Sequence, residues 1–251
     1  MHTSLLQLLQ RPDVWRPGDR RSEPSAAGNP TGHAALDRVL HGGGWPRAAL
    51  TELLLERPGC GELRLLLPLL AALGRERRWQ LWIDPPFIPY APALLAGGIA
   101  LEQLVVVRPP DRRQWLWTCA QALRAPGVGA VLCWPGAQTL RYAELRQLQV
   151  AASSAQCCGF LLRDTRAAAQ ASPSALRLRL RAVNTSELAV DILRQRGGRA
   201  GQRVVLAGPT CFQQQPALSE WPYVSGPAPA AAPRHPARPQ PAPDLREVTW
   251  Q

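Results

Sequence analysis

Residues Glu56 to Leu63 read ERPGCGEL and follow an apolar run ending at Leu55. Strand, glycine-containing loop and helix in that order make the usual cradle for a phosphate. A working loop of the form G-x-x-x-x-G-K-[ST] sets backbone N–H groups and an ammonium against the β- and γ-phosphates and a hydroxyl on Mg²⁺. With Gly61 at the second glycine, Glu56 stands at the first glycine, Glu62 at the lysine and Leu63 at the hydroxyl. A carboxylate at the lysine position repels the anion. The chain has no lysine at all, and its 29 basic residues are all arginine. Gly59 and Gly61 keep the capacity for a backbone anion nest. The shape of a phosphate loop without its chemistry points to a protein that binds partners, needs no cofactor and does not turn over nucleotide.

Other reactive side chains form no constellation. His2, His33, His41 and His235 share no metal spacing, and the six cysteines form neither a C-x-x-C pair nor a zinc pattern. Ser172 and Ser174 have no His/Asp pair near them in sequence. Trp79, Trp82, Trp115, Trp117 and Trp134 fall on strand or helix positions and read mostly as core. Trp45, beside Gly42–Gly44, reads as a residue of either core or contact surface.

Charge offers a different opening. A net charge of +11 makes nucleic acid or an acidic protein a plausible partner. In ALRLRLRAV, strand alternation sets Leu176, Leu178 and Leu180 on one face and Arg177, Arg179 and Arg181 on the other, with Arg194 and Arg196 on the next strand. One reading of that face is a solvated surface. The other is an electrostatic footprint for DNA phosphate or an acidic protein patch. A second partner candidate is the terminal LREVTWQ, where Leu245, Val248 and Trp250 make an apolar anchor behind a Pro-rich spacer.

Three regions position these residues. Residues 1–24 carry a short leucine-rich helical pattern. Residues 25–208 alternate strand and helix: strands at 49–55, 79–84, 103–107, 128–134 and 159–163, with helices at 62–74, 89–96, 112–125 and 140–155 between them. Asp111 is placed to cap the third of these helices. Such alternation implies βαβ units and a mostly parallel sheet covered on both faces, followed by a hairpin over 175–183 and 187–196 and a last strand at 204–207. Residues 209–251, dominated by Pro, Ala and Gln, read as a disordered tail. No run reaches the roughly 18 apolar residues of a membrane span, and the start lacks a signal-peptide pattern, so a cytoplasmic protein is expected.

The stretch TGHAALDRVLHGGGWPRAA, with the strand and loop that follow, resembles the core of RecA. VWR near the start, GGGWP, GELRLLLPLLAAL, IDPPFIPYAPAL, LRQLQVAA, SPSALRLRL and DILRQRGG together resemble the translesion-synthesis-associated ImuA family, which is RecA-like and grouped with the cell-division inhibitor SulA. The likeness covers about residues 5–208. It implies a RecA-like α/β fold with a C-terminal β-hairpin and a role in damage-induced mutagenesis. The implied partners are an ImuB-type polymerase homologue, RecA and, indirectly, an error-prone DnaE-type polymerase, with association with the nucleoid after DNA damage.

Catalysis in the RecA manner also needs a glutamate base and an aspartate at the end of the fourth strand. Pro86 stands at the first place and Cys133-Trp134 at the second, so neither a proton acceptor nor a Mg²⁺ ligand is supplied. Two other classes compete with the ImuA reading: a SulA-like inhibitor that binds the division protein FtsZ, and a divergent nucleotide-dependent recombinase, against which the missing lysine argues.

Overall fold

The computed structural model describes residues 27–184 and 186–207, all within the unit Met1–Gln213. The leucine-rich start, and the tail with Leu245, Val248 and Trp250, lie outside the described residues.

Eight strands form one sheet in the order β3-β2-β4-β5-β1-β6-β7-β8. They are β1 (Ala49–Leu55), β2 (Trp79–Ile83), β3 (Leu104–Val107), β4 (Val128–Cys133), β5 (Cys158–Asp164), β6 (Leu176–Ala182), β7 (Glu187–Gln195) and β8 (Arg203–Ala207). The pairs from β3 through β6 are parallel, and β6–β7 and β7–β8 are antiparallel. The helices are α1 (Ala34–Asp37), α2 (Glu62–Arg75), α3 (Ala91–Ala96), α4 (Arg112–Arg124) and α5 (Tyr142–Ser153). The expected α/β architecture and its terminal hairpin are therefore present, with boundaries moved by a residue or two.

The sheet is covered on both faces, as a parallel sheet must be to keep its apolar strands dry. One core gathers Leu53, Leu65, Leu70, Trp82, Phe160, Leu178 and Val190 around α2. The other gathers Leu50, Ile83, Trp115, Val131, Leu145 and Leu161 beneath α4 and α5. Asp111 caps α4 as its position suggests, accepting a 2.8 Å hydrogen bond from the Gln114 amide.

The TGH…LD…GGGW stretch serves this packing. Thr31 N–H donates to Asp37 Oδ1 at 2.9 Å, closing the turn before α1. Gly32 has φ +82°, and a Cβ there would come within 2.2 Å of the Pro68 side chain on α2, so only glycine fits. Trp45 is fully buried, its ring edge-on to Phe160 at 5.2 Å, which makes it core and not contact surface. Trp82, Trp115 and Trp134 are buried as expected, but Trp79 and Trp117 are exposed: Trp79 opens β2 and Trp117 lies on the solvent side of α4.

Candidate functional site

The loop after β1 shows what the sequence put in place of lysine. Gly61, at φ +111°, ends the loop in left-handed backbone and starts α2. Glu62 then folds its own carboxylate back into the loop. Gly59 N–H donates to Glu62 Oε1 at 2.7 Å and Gly61 N–H to Oε2 at 3.1 Å, and Glu62 is only 4% exposed. A helix N-terminus with free amides attracts an anion through its dipole and its unpaired donors. Here an internal carboxylate takes the position a phosphate would occupy, and its charge satisfies the nest. Burial first, and the Glu62 carboxylate after it, push the neighbouring Cys60 thiol up to about 12.

The carboxyl ends of β1, β2, β4 and β5 open onto a cavity of about 590 Å³, the place where open α/β sheets bind ligands. Glu56, Asp84 and Asp164 line it, with Arg57, Arg108 and Arg166 among them. Arg108 stands 3.8 Å from Asp84, and Arg166 stands 3.7 Å from Asp164. A polyphosphate entering here meets carboxylates already sharing the local cations. The positions tested for catalysis hold nothing that carries it: Pro86 is a loop residue, Cys133 is fully buried, and the backbone carbonyl of Trp134 accepts from Trp115 Nε1 at 3.0 Å. Among the described residues no His, Cys, Asp or Glu side chains cluster as metal ligands. Phosphate release from ATP with Mg²⁺ and single-stranded DNA is expected to stay at background. A DNA-stimulated rate that Gly61→Asp abolishes is the contrary result.

The arginine face departs from its expected form. Arg177 is 7% exposed and does not reach solvent. Its guanidinium donates to the Ala167 carbonyl at 2.7 Å and the Gln170 carbonyl at 3.0 Å, and lies 3.4 Å from Glu52 Oε2. Glu52, fully buried on β1, also accepts from Arg163 at 2.9 Å, from Ser174 Oγ at 2.6 Å and from Ser172 Oγ. Ser172 and Ser174 are thus donors to a structural carboxylate, with no histidine to activate either. The cluster ties β1, β5 and β6 to the segment 165–175 that joins β5 to β6.

Arg179 and Arg181 do reach the surface, but not as free cations. Asp191 on β7 lies 2.9 Å from Arg179 and 3.4 Å from Arg181, and also pairs with Arg203 of β8. The hydrogen bond from Arg203 leads in holding the Asp191 carboxyl below the usual carboxylate range, with Arg179 adding to it. Arg194 is exposed and donates to the Ser172 carbonyl, and Arg196 is exposed at the turn after β7. The five arginines therefore divide: one is buried, two share a carboxylate, and two lie at the rim.

IDPPFIPYAPAL, one of the runs that carry the family resemblance, holds an exposed segment after β2 that no charge or catalytic pattern marks. Pro85-Pro86-Phe87-Ile88-Pro89-Tyr90 leaves Phe87 64%, Ile88 88% and Tyr90 64% exposed, unusual for three large apolar side chains within four positions. Arg108 holds the segment by donating to the Pro85 carbonyl at 2.9 Å and the Phe87 carbonyl at 3.3 Å, and the prolines fix its φ angles. Behind it, Leu67, Trp82, Leu94 and Trp134 line an apolar groove of about 210 Å³. The sequence marks these residues as apolar, and only the packing shows them exposed.

Residues 50–159 match the family model of the cell division inhibitor SulA. The match covers β1 through the start of β5, including the Glu62 loop and the Phe87–Tyr90 segment. Cell division inhibitor SulA of Edwardsiella piscicida is 34% identical over 113 residues, which are 44% of this chain and 66% of that relative. SulA of Klebsiella pneumoniae subsp. pneumoniae is 31% identical over 102 residues, 41% of this chain and 60% of the relative. SulA of Salmonella paratyphi B is 32% identical over 103 residues, with the same two shares. The chain thus spans about 60–66% of the length of these SulA relatives. The SulA-like segment ends where β5 begins, so the Glu52 partners Arg163 and Arg177, and the whole of β6–β8, lie beyond it.

Proposed function

We propose that this chain is a non-catalytic protein-binding inhibitor of the SulA type, acting on the division protein FtsZ in the cytoplasm during the response to DNA damage. The observation that carries the non-catalytic part is the Glu62 carboxylate seated on the Gly59 and Gly61 amides, the place a phosphate needs. The SulA-like segment supports the partner class. Phe87, Ile88 and Tyr90 supply the contact surface: rigid, apolar and rimmed by Arg64 and Arg108, the composition of an interface hot spot. Inhibition needs only occupation of the partner's assembly surface. Expression of the full chain in a dividing bacterium is expected to give filamentous cells, and the purified chain to reduce the FtsZ that sediments as polymer with GTP. Normal division together with undiminished polymer is the result that overturns the reading.

A second reading keeps the mutasome role of the ImuA resemblance, with an ImuB-type polymerase homologue, RecA and a DnaE-type polymerase as partners. One observation favours it: the sheet continues past residue 159 through β6–β8, and the ImuA-like segments SPSALRLRL and DILRQRGG lie on β6 and β7. Loss of damage-induced mutagenesis on deletion of the gene, with division unaffected, selects this reading over the first.

A further inference from the structure

β8 ends the sheet. It pairs with β7 alone, in unbroken register from Arg203–Asp191 to Ala207–Glu187, and no described strand lies on its other side. Edge strands are commonly blunted by proline, lysine or a bulge, because their open backbone groups invite another strand. RVVLA carries neither a proline nor a bulge, and its single charge, Arg203, stands at its first position. Its two faces differ. Leu206 is buried and Val204 packs against the larger core, whereas Arg203, Val205 and Ala207 face outward, Val205 with 51% of its surface exposed.

Beside that outward face stands the Asp191 cluster. Arg179, Arg181 and Arg203, from β6 and β8, share the Asp191 carboxylate of β7. Asp191 is held ionised by them, so the cluster keeps a surplus of positive charge. Arg181 Nε–H is buried and has no acceptor among the described residues. Glu56 lines a shallow groove of about 320 Å³ with Arg181, Val183, Arg203 and Val205, so the groove's lining holds two guanidinium groups and one carboxylate. Among the described residues no aromatic side chain lines the groove, so they offer no stacking platform of the kind single-stranded nucleic acid uses. Guanidinium and exposed valine alternate instead.

We propose that β8 is a docking edge for an extended segment of a partner protein in which carboxylate and apolar side chains alternate. The segment adds as a strand beside β8, a binding mode whose affinity comes from main-chain hydrogen bonds and whose selectivity comes from alternate side chains. One of its carboxylates faces Arg203 and enters the cluster at Arg181, and an aliphatic neighbour covers Val205. β8 and its arginine neighbours lie outside the SulA-like segment, so the docking edge does not depend on which target that segment engages.

The test uses the full chain and a fluorescent peptide of alternating Glu and Val, with three comparison ligands: its Lys–Val counterpart, the same Glu–Val peptide N-methylated at alternate residues, and a single-stranded oligonucleotide. The Glu–Val peptide is expected to bind, to weaken with rising salt, and to protect the β8 amides from hydrogen exchange. Arg203→Glu should weaken it by about tenfold or more, the scale of one close interfacial charge pair, in a chain that still melts cooperatively. Should that variant fail to fold, Val205→Asp on the same strand reads the same contact. Equal binding of the N-methylated or the Lys–Val peptide overturns strand addition, and so does unchanged affinity in a folded variant. Displacement of the peptide by the oligonucleotide at lower concentration assigns the arginines to nucleic acid and overturns the proposal.

Discussion

Replacing Glu52 by alanine is expected to destabilise the domain by about 3–5 kcal/mol, the scale for breaking a buried ion pair by removing one partner. Glu52 is fully buried and Arg163 is 5% exposed, so neither they nor the 7% exposed Arg177 can recover water when the carboxylate goes. The variant leaves two guanidinium groups and two serine hydroxyls facing a void. Arg177 already has one unpartnered donor, its Nε, among the described residues. A small domain has a total stability of about 5–15 kcal/mol, so the loss takes a large share of it. Urea denaturation followed by circular dichroism should show a lower midpoint with an unchanged slope. Glu52→Gln keeps an acceptor for one arginine and one serine and should fall between alanine and the parent. A loss under about 1 kcal/mol for the alanine variant, the size of an exposed ion pair, would contradict the buried network.

The second large effect belongs to the apolar segment after β2. Changing both Phe87 and Ile88 to aspartate should weaken binding to the proposed partner FtsZ by about 2 kcal/mol or more, roughly thirtyfold, if these side chains are its hot spot. Both are mostly exposed, so the melting temperature should move little. The pair of readouts separates contact from folding. Binding measured by interferometry should fall while the melt stays in place, and filamentation in cells should disappear with it. Trp79→Ala, exposed at the start of β2, serves as a surface control that leaves binding intact. Full binding by the Phe87/Ile88 variant removes this surface from the interface and leaves the rest of the SulA-like segment to be searched.

The two effects come from opposite sides of what a sequence makes visible. Glu52 sits in ALTELLL, a charge in the middle of a strand buried at every position. That charge demands partners, but their identity was not legible, because Arg163 and Arg177 lie 111 and 125 positions away. Phe87 and Ile88 were legible as apolar residues and not as exposed ones. Hydrophobicity signals burial on average, and only the packing reveals that no described element covers this segment.

Most of the secondary structure was determined by the sequence itself. Period-2 and period-3.6 patterns between Gly, Pro and Asp punctuation placed the strands and the four longer helices to within a residue or two, because local sterics and the need to bury one face act over short windows. The loss of phosphate chemistry was equally local: with no lysine in the chain, no fold restores that ammonium. Tertiary structure decided the rest. It placed the Glu62 carboxylate on the loop amides, a contact that depends on the left-handed turn at Gly61. It buried Arg177 while leaving Arg179 and Arg181 at the surface, although alternation assigns all three to one face. β6 runs beside β1, so Glu52 and residues 164–175 close over its first half and Asp191 answers only its second. Alternation says which way a side chain points. Which strand lies next to it, and what covers that face, is set by tertiary contacts such as the one joining Arg177 to Glu52, 125 positions away.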